Sequence, residues 1–163
     1  MRGIRVTTTT DVSIKQVPPT VFLASVHEDV TIPEIATIAR NEMEQMIEAL
    51  EAAGGVASSQ ITFIYHGADG TPTTPFRLTL AVPLATVPAH VPGPYELLES
   101  PEFTCVATDF VGPMPDIMWG YDRIFSAMRE QNLQRTAESR EIYKKWIGFE
   151  SPDNVTELQV GVQ

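Results

Sequence analysis

Glu157 is the residue whose position in this sequence most directly raises a chemical question. It lies in the middle of segment 154–163, where apolar or β-branched residues alternate with polar ones in a pattern typical of a strand. Leu158 and Val160 fall on one face of that strand, and Glu157 and Gln159 fall on the other. On a solvated face Glu157 is an ordinary surface charge. On a face that lines a pocket it is a buried acid, which needs a cationic ligand, a hydrogen-bond partner or a catalytic task.

Other residue types that often carry chemistry give weaker signals. Cys105 is the only cysteine and lies in the apolar run 103–107, so it is predicted to be a small buried residue and not a nucleophile. One cysteine cannot form an intramolecular disulfide, which fits a reducing, cytoplasmic environment. His27, His66 and His90 show no metal-ligand spacing, and no glycine-rich phosphate loop precedes a helix. We therefore expect neither a metal nor another cofactor.

The composition indicates one acidic globular domain. The chain has 163 residues, of which 43% are hydrophobic and 20% charged, enough for a single domain with a full core. A net charge of -10 without a basic patch argues against direct binding to nucleic acid and to anionic membranes. No apolar run is long enough to cross a bilayer, and residues 1–10, predicted to be a loose lead-in, lack the apolar core of a signal peptide.

Hydrophobic periodicity and chain breakers predict the elements that position Glu157. A helix is expected over 33–53, because Thr31 and Glu34 fit a capping box and Gly54 follows the apolar stripe. A second helix is expected over 115–132, with Trp119 off its apolar stripe. The predicted strands are 11–17, 20–27, 61–66, 76–83, 103–110, 141–146 and 155–162, with a proline-rich connector over 85–94.

These elements form an internal repeat. The order strand, helix, strand, strand occurs in a half spanning about 12–84 and again in a half spanning about 95–163, and Tyr65 in the first half corresponds to Tyr143 in the second. The predicted fold is therefore α+β, a tandem strand-helix-strand-strand duplication in a single domain. We expect a mostly antiparallel sheet with both helices on one face and a ligand groove at the pseudo-two-fold axis.

Several segments resemble a known family. They are strand 63–67, strand end 80–83, Gly112-Pro113 before the second helix, and the closing run 156–160. With the order of elements, they make nearly the whole chain similar to the GyrI-like family, the effector-binding domain of bacterial transcription regulators. That domain is often fused to a DNA-binding helix-turn-helix, and no such segment precedes it here. The resemblance implies a stand-alone protein that binds a small molecule.

The resemblance also implies which residues form the site. Glu157 matches the pocket acid of the family, and Tyr65, Tyr143 and Trp119 are the aromatic candidates. A buried carboxylate is costly unless it is paired, so it selects a cation, and aromatic faces add cation–π attraction. In this interpretation the protein holds an amphipathic, cationic ligand in the manner of a multidrug sensor.

Two alternatives remain open. Another branch of the family resembles hydrolases of cyclopropane-bearing small molecules, in which Glu157 would be the general base and Tyr65 or Tyr143 a proton donor. The other alternative is an acidic protein-interaction module similar to a gyrase inhibitor, in which the wet face of the first helix would meet a protein partner. That face carries Glu42, Glu44, Glu48 and Glu51. We favour binding over catalysis, and the sequence is compatible with a homodimer.

Overall fold

The structure is a computed structural model that describes Thr8, Thr9 and residues 11–163. The strands are β1 (Thr8–Thr9), β2 (Ser13–Val17), β3 (Thr20–Val30), β4 (Val56–Ala57), β5 (Thr62–His66), β6 (Phe76–Thr86), β7 (Glu96–Ser100), β8 (Phe103–Val111), β9 (Arg135–Lys145) and β10 (Val155–Val162). The helices are α1 (Ile35–Ala52) and α2 (Met118–Glu130), each preceded by a 3-10 turn, Ile32–Glu34 and Met114–Asp116. Of the predicted lead-in, only Thr8 and Thr9 lie within the described residues.

The chain divides into two compact units. One unit is Pro18–Phe103, and the other combines Met1–Val17 with Thr104–Gln163. Residues 11–17 therefore belong with the second half of the chain, which brings β2 into the same unit as β10.

In the unit Pro18–Phe103 the strands run in the order β5-β6-β3-β7, and all these pairs are antiparallel. Helix α1 packs against β3 and β6 through Met46 and Leu50, which are fully buried. Phe22, Ile64 and Ala81 form a smaller apolar cluster in this unit. This unit thus has apolar contacts on both faces of its strands.

The other unit has the strand order β1-β8-β10-β9, with β2 also paired to β8. Strand β10 is antiparallel to both of its neighbours and is central in this unit. Helix α2 packs on one face of these strands. The residues of that core are Val106, Phe110, Ile124, Met128, Leu158, Val160 and Val162. At Gly120 a Cβ atom would lie 2.6 Å from Leu158 Cδ1, so the missing side chain lets the helix lie close to β10.

Both units have the same topology, which confirms the predicted α+β fold with a mostly antiparallel sheet and two helices. In each unit the first strand of the repeat pairs with the last, and the last also pairs with the third, as β3-β6-β5 and β8-β10-β9. The register places Tyr65 opposite Leu78 and Tyr143 opposite Thr156. The residue that corresponds to Glu157 in the first unit is therefore Thr79.

Several element predictions need correction. Strands β3 and β6 each extend three residues past their predicted ends, and the short strand β4 was not predicted. Strand β9 begins at Arg135 and not at residue 141, because its polar first half has no apolar alternation and is ordered by pairing with β10. Strand β7 was not predicted, since it lies at the exposed edge of its unit beside β3. Both helices start two or three residues later than expected, because Pro33 and Pro115 lie in the preceding 3-10 turns.

The prediction that Glu42 lies on the solvent-exposed face of α1 is wrong. This carboxylate faces the strands, where it accepts a hydrogen bond from Ser25 Oγ at 2.7 Å and lies 3.7 Å from His27 Nε2. Glu44, Glu48 and Glu51 are exposed as predicted. No helix in the described part of the chain is long and apolar enough to cross a membrane.

Candidate functional site

Glu157 lies at the centre of its sheet and is buried. Strand β8 places Asp109 opposite Glu157 on one side, and strand β9 places Ile142 opposite it on the other. Leu158 and Val160 point into the core beneath α2, so Glu157 and Gln159 point to the opposite face, as the alternation predicts. Glu157 is only 9% exposed. Glu157 is therefore a buried acid and not an ordinary surface charge.

Two side chains donate hydrogen bonds to one oxygen of the Glu157 carboxylate. Lys15 Nζ lies 2.6 Å from Oε2, and Gln159 Nε2 lies 2.8 Å from the same atom. Lys144 Nζ is 4.0 Å from the other oxygen, Oε1, and donates instead to Asp109 Oδ2 at 2.9 Å. Within the described residues, Oε1 accepts no hydrogen bond. The carboxylate is thus saturated at one oxygen and open at the other.

The electrostatic surroundings keep Glu157 ionised. Burial raises the pKa of this carboxyl, but the hydrogen bonds from Lys15 and Gln159 and the charges of Lys15 and Lys144 outweigh burial, so the pKa lies below its ordinary value. The hydrogen bond to Asp109 raises the pKa of Lys144. The Glu157 carboxylate and the Lys144 ammonium are therefore both charged near neutral pH.

Further charged side chains lie around Glu157. Arg140 lies opposite Gln159 in the register, and its Nε donates to Glu138 Oε2 at 2.6 Å. We call six described residues the charge cluster: Lys15, Arg140 and Lys144, which are positive, and Asp109, Glu138 and Glu157, which are negative. The face that carries Glu157 is therefore rich in charges of both signs.

Tyr143 does not share this face with Glu157. It pairs with Thr156 and therefore lies on the α2 side, where its hydroxyl donates to Glu141 Oε1 at 2.6 Å. The Tyr121 hydroxyl donates to Glu141 Oε2 from helix α2. We call this group the Glu141 cluster. Tyr143 and Glu157 therefore point to opposite faces of the sheet, because successive strand residues alternate. The ligand-binding role of Tyr143 stays a prediction.

Trp119 and Tyr65 have contrasting environments. Trp119 lies in the first turn of α2 and is 58% exposed, as expected for a residue off the apolar stripe. Since α2 covers the Leu158 face, Trp119 lies on the opposite side of the sheet from Glu157. Tyr65 lies in the other unit, is 5% exposed and packs edge-on against Phe76, with ring centroids 5.7 Å apart. The ligand-binding role of these aromatic residues stays a prediction.

Sequence reasoning missed Lys15, Lys144 and Gln159 as partners of Glu157. Gln159 carries a detectable signal, since it lies two positions away in the same strand and so on the same face. Lys15 carries none, because it is 142 positions from Glu157 and reaches it only through the pairing of β2 with β8.

Cys105 agrees with its prediction. It is 0% exposed, and burial raises the pKa of its thiol to about 11, so the sulfur stays protonated and is not a nucleophile. In the described part of the chain, no three His, Cys, Asp or Glu side chains are grouped so that they could hold a metal ion.

Comparisons with solved structures connect this fold to small bacterial domains. The C-terminal domain of EcmrR superposes with a TM-score of 0.76 at 14% identity, covering 94% of this chain and 97% of that chain. SAV2435 bound to tetraphenylphosphonium gives a TM-score of 0.66 at 11% identity, covering 94% of each chain. A hydrolase from Listeria innocua, encoded by lin2189, gives 0.64 at 13% identity, covering 93% of this chain and 91% of that one.

At these identities the likeness concerns the fold alone. No protein-family model matches the sequence, and no curated protein sequence matches it. The resemblance predicted from the sequence is therefore supported at the level of the fold.

Proposed function

We propose that this protein binds an amphipathic, cationic small molecule at Glu157. The observation that carries the proposal is a buried, ionised carboxylate whose Oε1 accepts no hydrogen bond from any described residue. A carboxylate held at this position is costly unless it is paired, and a positive group is the partner that it selects.

Beside the charge cluster, part of the face around Glu157 is apolar and would suit a ligand that has an apolar portion. The register places Ala107 opposite Gln159 and Cys105 opposite Gly161, so short side chains follow Glu157 along this face. Ile142 flanks Glu157 on the other side. An apolar group held beside the carboxylate would remove water and strengthen the attraction between the ligand charge and the Glu157 carboxylate.

The shared fold supports the same ligand class. SAV2435 was solved with tetraphenylphosphonium, a lipophilic cation, and covers 94% of this chain in the superposition. That compound is therefore a suitable probe, and triphenylphosphine oxide, a neutral molecule of related shape, is its control.

Isothermal titration calorimetry tests the proposal. We expect tetraphenylphosphonium to bind the wild type, and Glu157→Gln to weaken binding by roughly thirtyfold or more, as for a lost partner in a buried charge pair. Glu150→Gln removes the same charge from an exposed loop residue and should leave the affinity unchanged. Equal affinity of wild type and Glu157→Gln for the cation would contradict the proposal.

A hydrolase is the second candidate, because two of the similar folds are named as hydrolases from Listeria innocua. The chemistry of Glu157 is less favourable for this role, since a general base works best with a pKa near the working pH and this pKa is lowered. The Tyr143 hydroxyl is directed to Glu141 on the opposite face, so it is not placed to assist Glu157. Consumption of a bound cyclopropane-containing compound, followed by chromatography, would separate the hydrolase from the binding protein.

A further inference from the structure

We infer that Lys15 occupies the cation position of the Glu157 site, and that a ligand binds by replacing its ammonium group. The inference rests on the proposed binding function and adds a residue that determines ligand specificity. Its basis is geometric: Lys15 Nζ lies 2.6 Å from Glu157 Oε2, which is direct contact between ammonium and carboxylate. The structure thus pairs the carboxylate with a cation from its own chain.

The Lys15 ammonium regains water readily when it leaves this position. Its side chain is 47% exposed while that of Glu157 is 12% exposed, so the ammonium is already close to solvent. It extends from β2, a five-residue strand whose first four residues are exposed. A lysine side chain is flexible and its ammonium is strongly hydrated, so rotation into water restores most of its solvation.

Glu157 cannot follow Lys15 into water, because it lies in mid-strand between β8 and β9. After Lys15 leaves, only Gln159 still donates to the carboxylate, and Lys144 stays 4.0 Å away, bonded to Asp109. The carboxylate is then a poorly compensated buried charge, which is strongly unfavourable. A neutral ligand would leave that cost in place, whereas a cationic ligand removes it.

Removing the internal competitor should strengthen ligand binding. We expect Lys15→Met to bind tetraphenylphosphonium roughly tenfold more tightly than the wild type, since the ligand no longer has to break a charge-assisted hydrogen bond. The titration is made at about pH 8 so that Glu157 stays ionised in the variant. Lys145→Met is the matched control, because it removes the same charge from an exposed residue next to Lys144 and should leave the affinity unchanged.

Two further variants make the result decisive. Lys15→Gln, which keeps a polar side chain, should also strengthen binding, and thermal unfolding followed by circular dichroism checks that both Lys15 variants are folded. The double variant Lys15→Met with Glu157→Gln should lose the gain, because the gain depends on the carboxylate.

The inference is overturned if the wild type binds the cation through Glu157 but the Lys15 variants bind it equally or more weakly. Equal or weaker binding would mean that Lys15 stays in place or contacts the ligand. If neither the wild type nor the Lys15 variants bind tetraphenylphosphonium, the proposed function fails and the inference fails with it, so the two failures are distinguished by the wild-type titration.

Discussion

Lys15 Nζ and Glu157 Oε2 lie 2.6 Å apart, although 142 positions separate the two residues in the chain. The contact joins β2 to β10. It places a positive charge on a carboxylate that is otherwise buried between two neighbouring strands.

The ionised form of Glu157 should stabilise the fold in a defined pH range. Its folded pKa is lowered from the ordinary value of 4.5, so its contribution is fully present above about pH 4.5 and is lost as the pH falls through the folded pKa. We expect Glu157→Gln to lower the free energy of unfolding at pH 7 by on the order of 1 to 3 kcal/mol. Urea unfolding from pH 7 down to about pH 3 should show that difference shrinking. A difference that stays constant over this range would mean that the charge of Glu157 contributes nothing.

The Glu141 cluster should stabilise the packing of α2 without affecting ligand binding. Tyr121 and Tyr143 each donate a hydrogen bond to one oxygen of Glu141, which is buried. We expect Tyr121→Phe and Tyr143→Phe each to lower the free energy of unfolding by about 1 kcal/mol, with non-additive effects in the double variant because both bonds share one carboxylate.

Because the Glu141 cluster lies on the opposite face from Glu157, Tyr143→Phe should leave the affinity for tetraphenylphosphonium unchanged. Calorimetric titration of this variant provides the check. A large loss of affinity would instead support the prediction from the sequence that Tyr143 contacts the ligand.

Cys105 should be unreactive in the folded protein. It is fully buried, and burial raises the pKa of the thiol to about 11, so the thiolate is scarce at neutral pH. We expect no reaction with Ellman's reagent at pH 8 under native conditions and one thiol released per chain in denaturant. Rapid labelling of the native protein would show that β8 opens at this position.

The two kinds of glutamate on α1 should differ in their effect on stability. Glu42 accepts a hydrogen bond from Ser25 Oγ at 2.7 Å, whereas Glu48 is exposed. We expect Glu42→Ala to lower the free energy of unfolding by about 1 kcal/mol and Glu48→Ala to change it by less than about 0.5 kcal/mol. Thermal denaturation of the two variants compares them directly. Equal effects of the two substitutions would mean that the hydrogen bond from Ser25 to Glu42 does not stabilise the fold.

The fold was largely predictable from the sequence because its signals are local. The alternation in β10 correctly separated Leu158 from Glu157, and the helical stripe correctly left Trp119 outside the core. The repeat of strand, helix, strand, strand was also visible, since each element carries its own periodicity. The first half of β9 was missed because it is polar and is held by pairing with β10 rather than by a pattern of its own.

The site was only partly predictable, because its partners come from different strands. That Glu157 and Gln159 share a face follows from the sequence, since side chains alternate along a strand whatever its neighbours are. The pairing of Lys15 with Glu157, the hydrogen bond from Tyr143 to Glu141 and the inward position of Glu42 arise only in the folded chain. These contacts depend on strand order and register, which are set by long-range pairing and are not encoded in the spacing of any one segment.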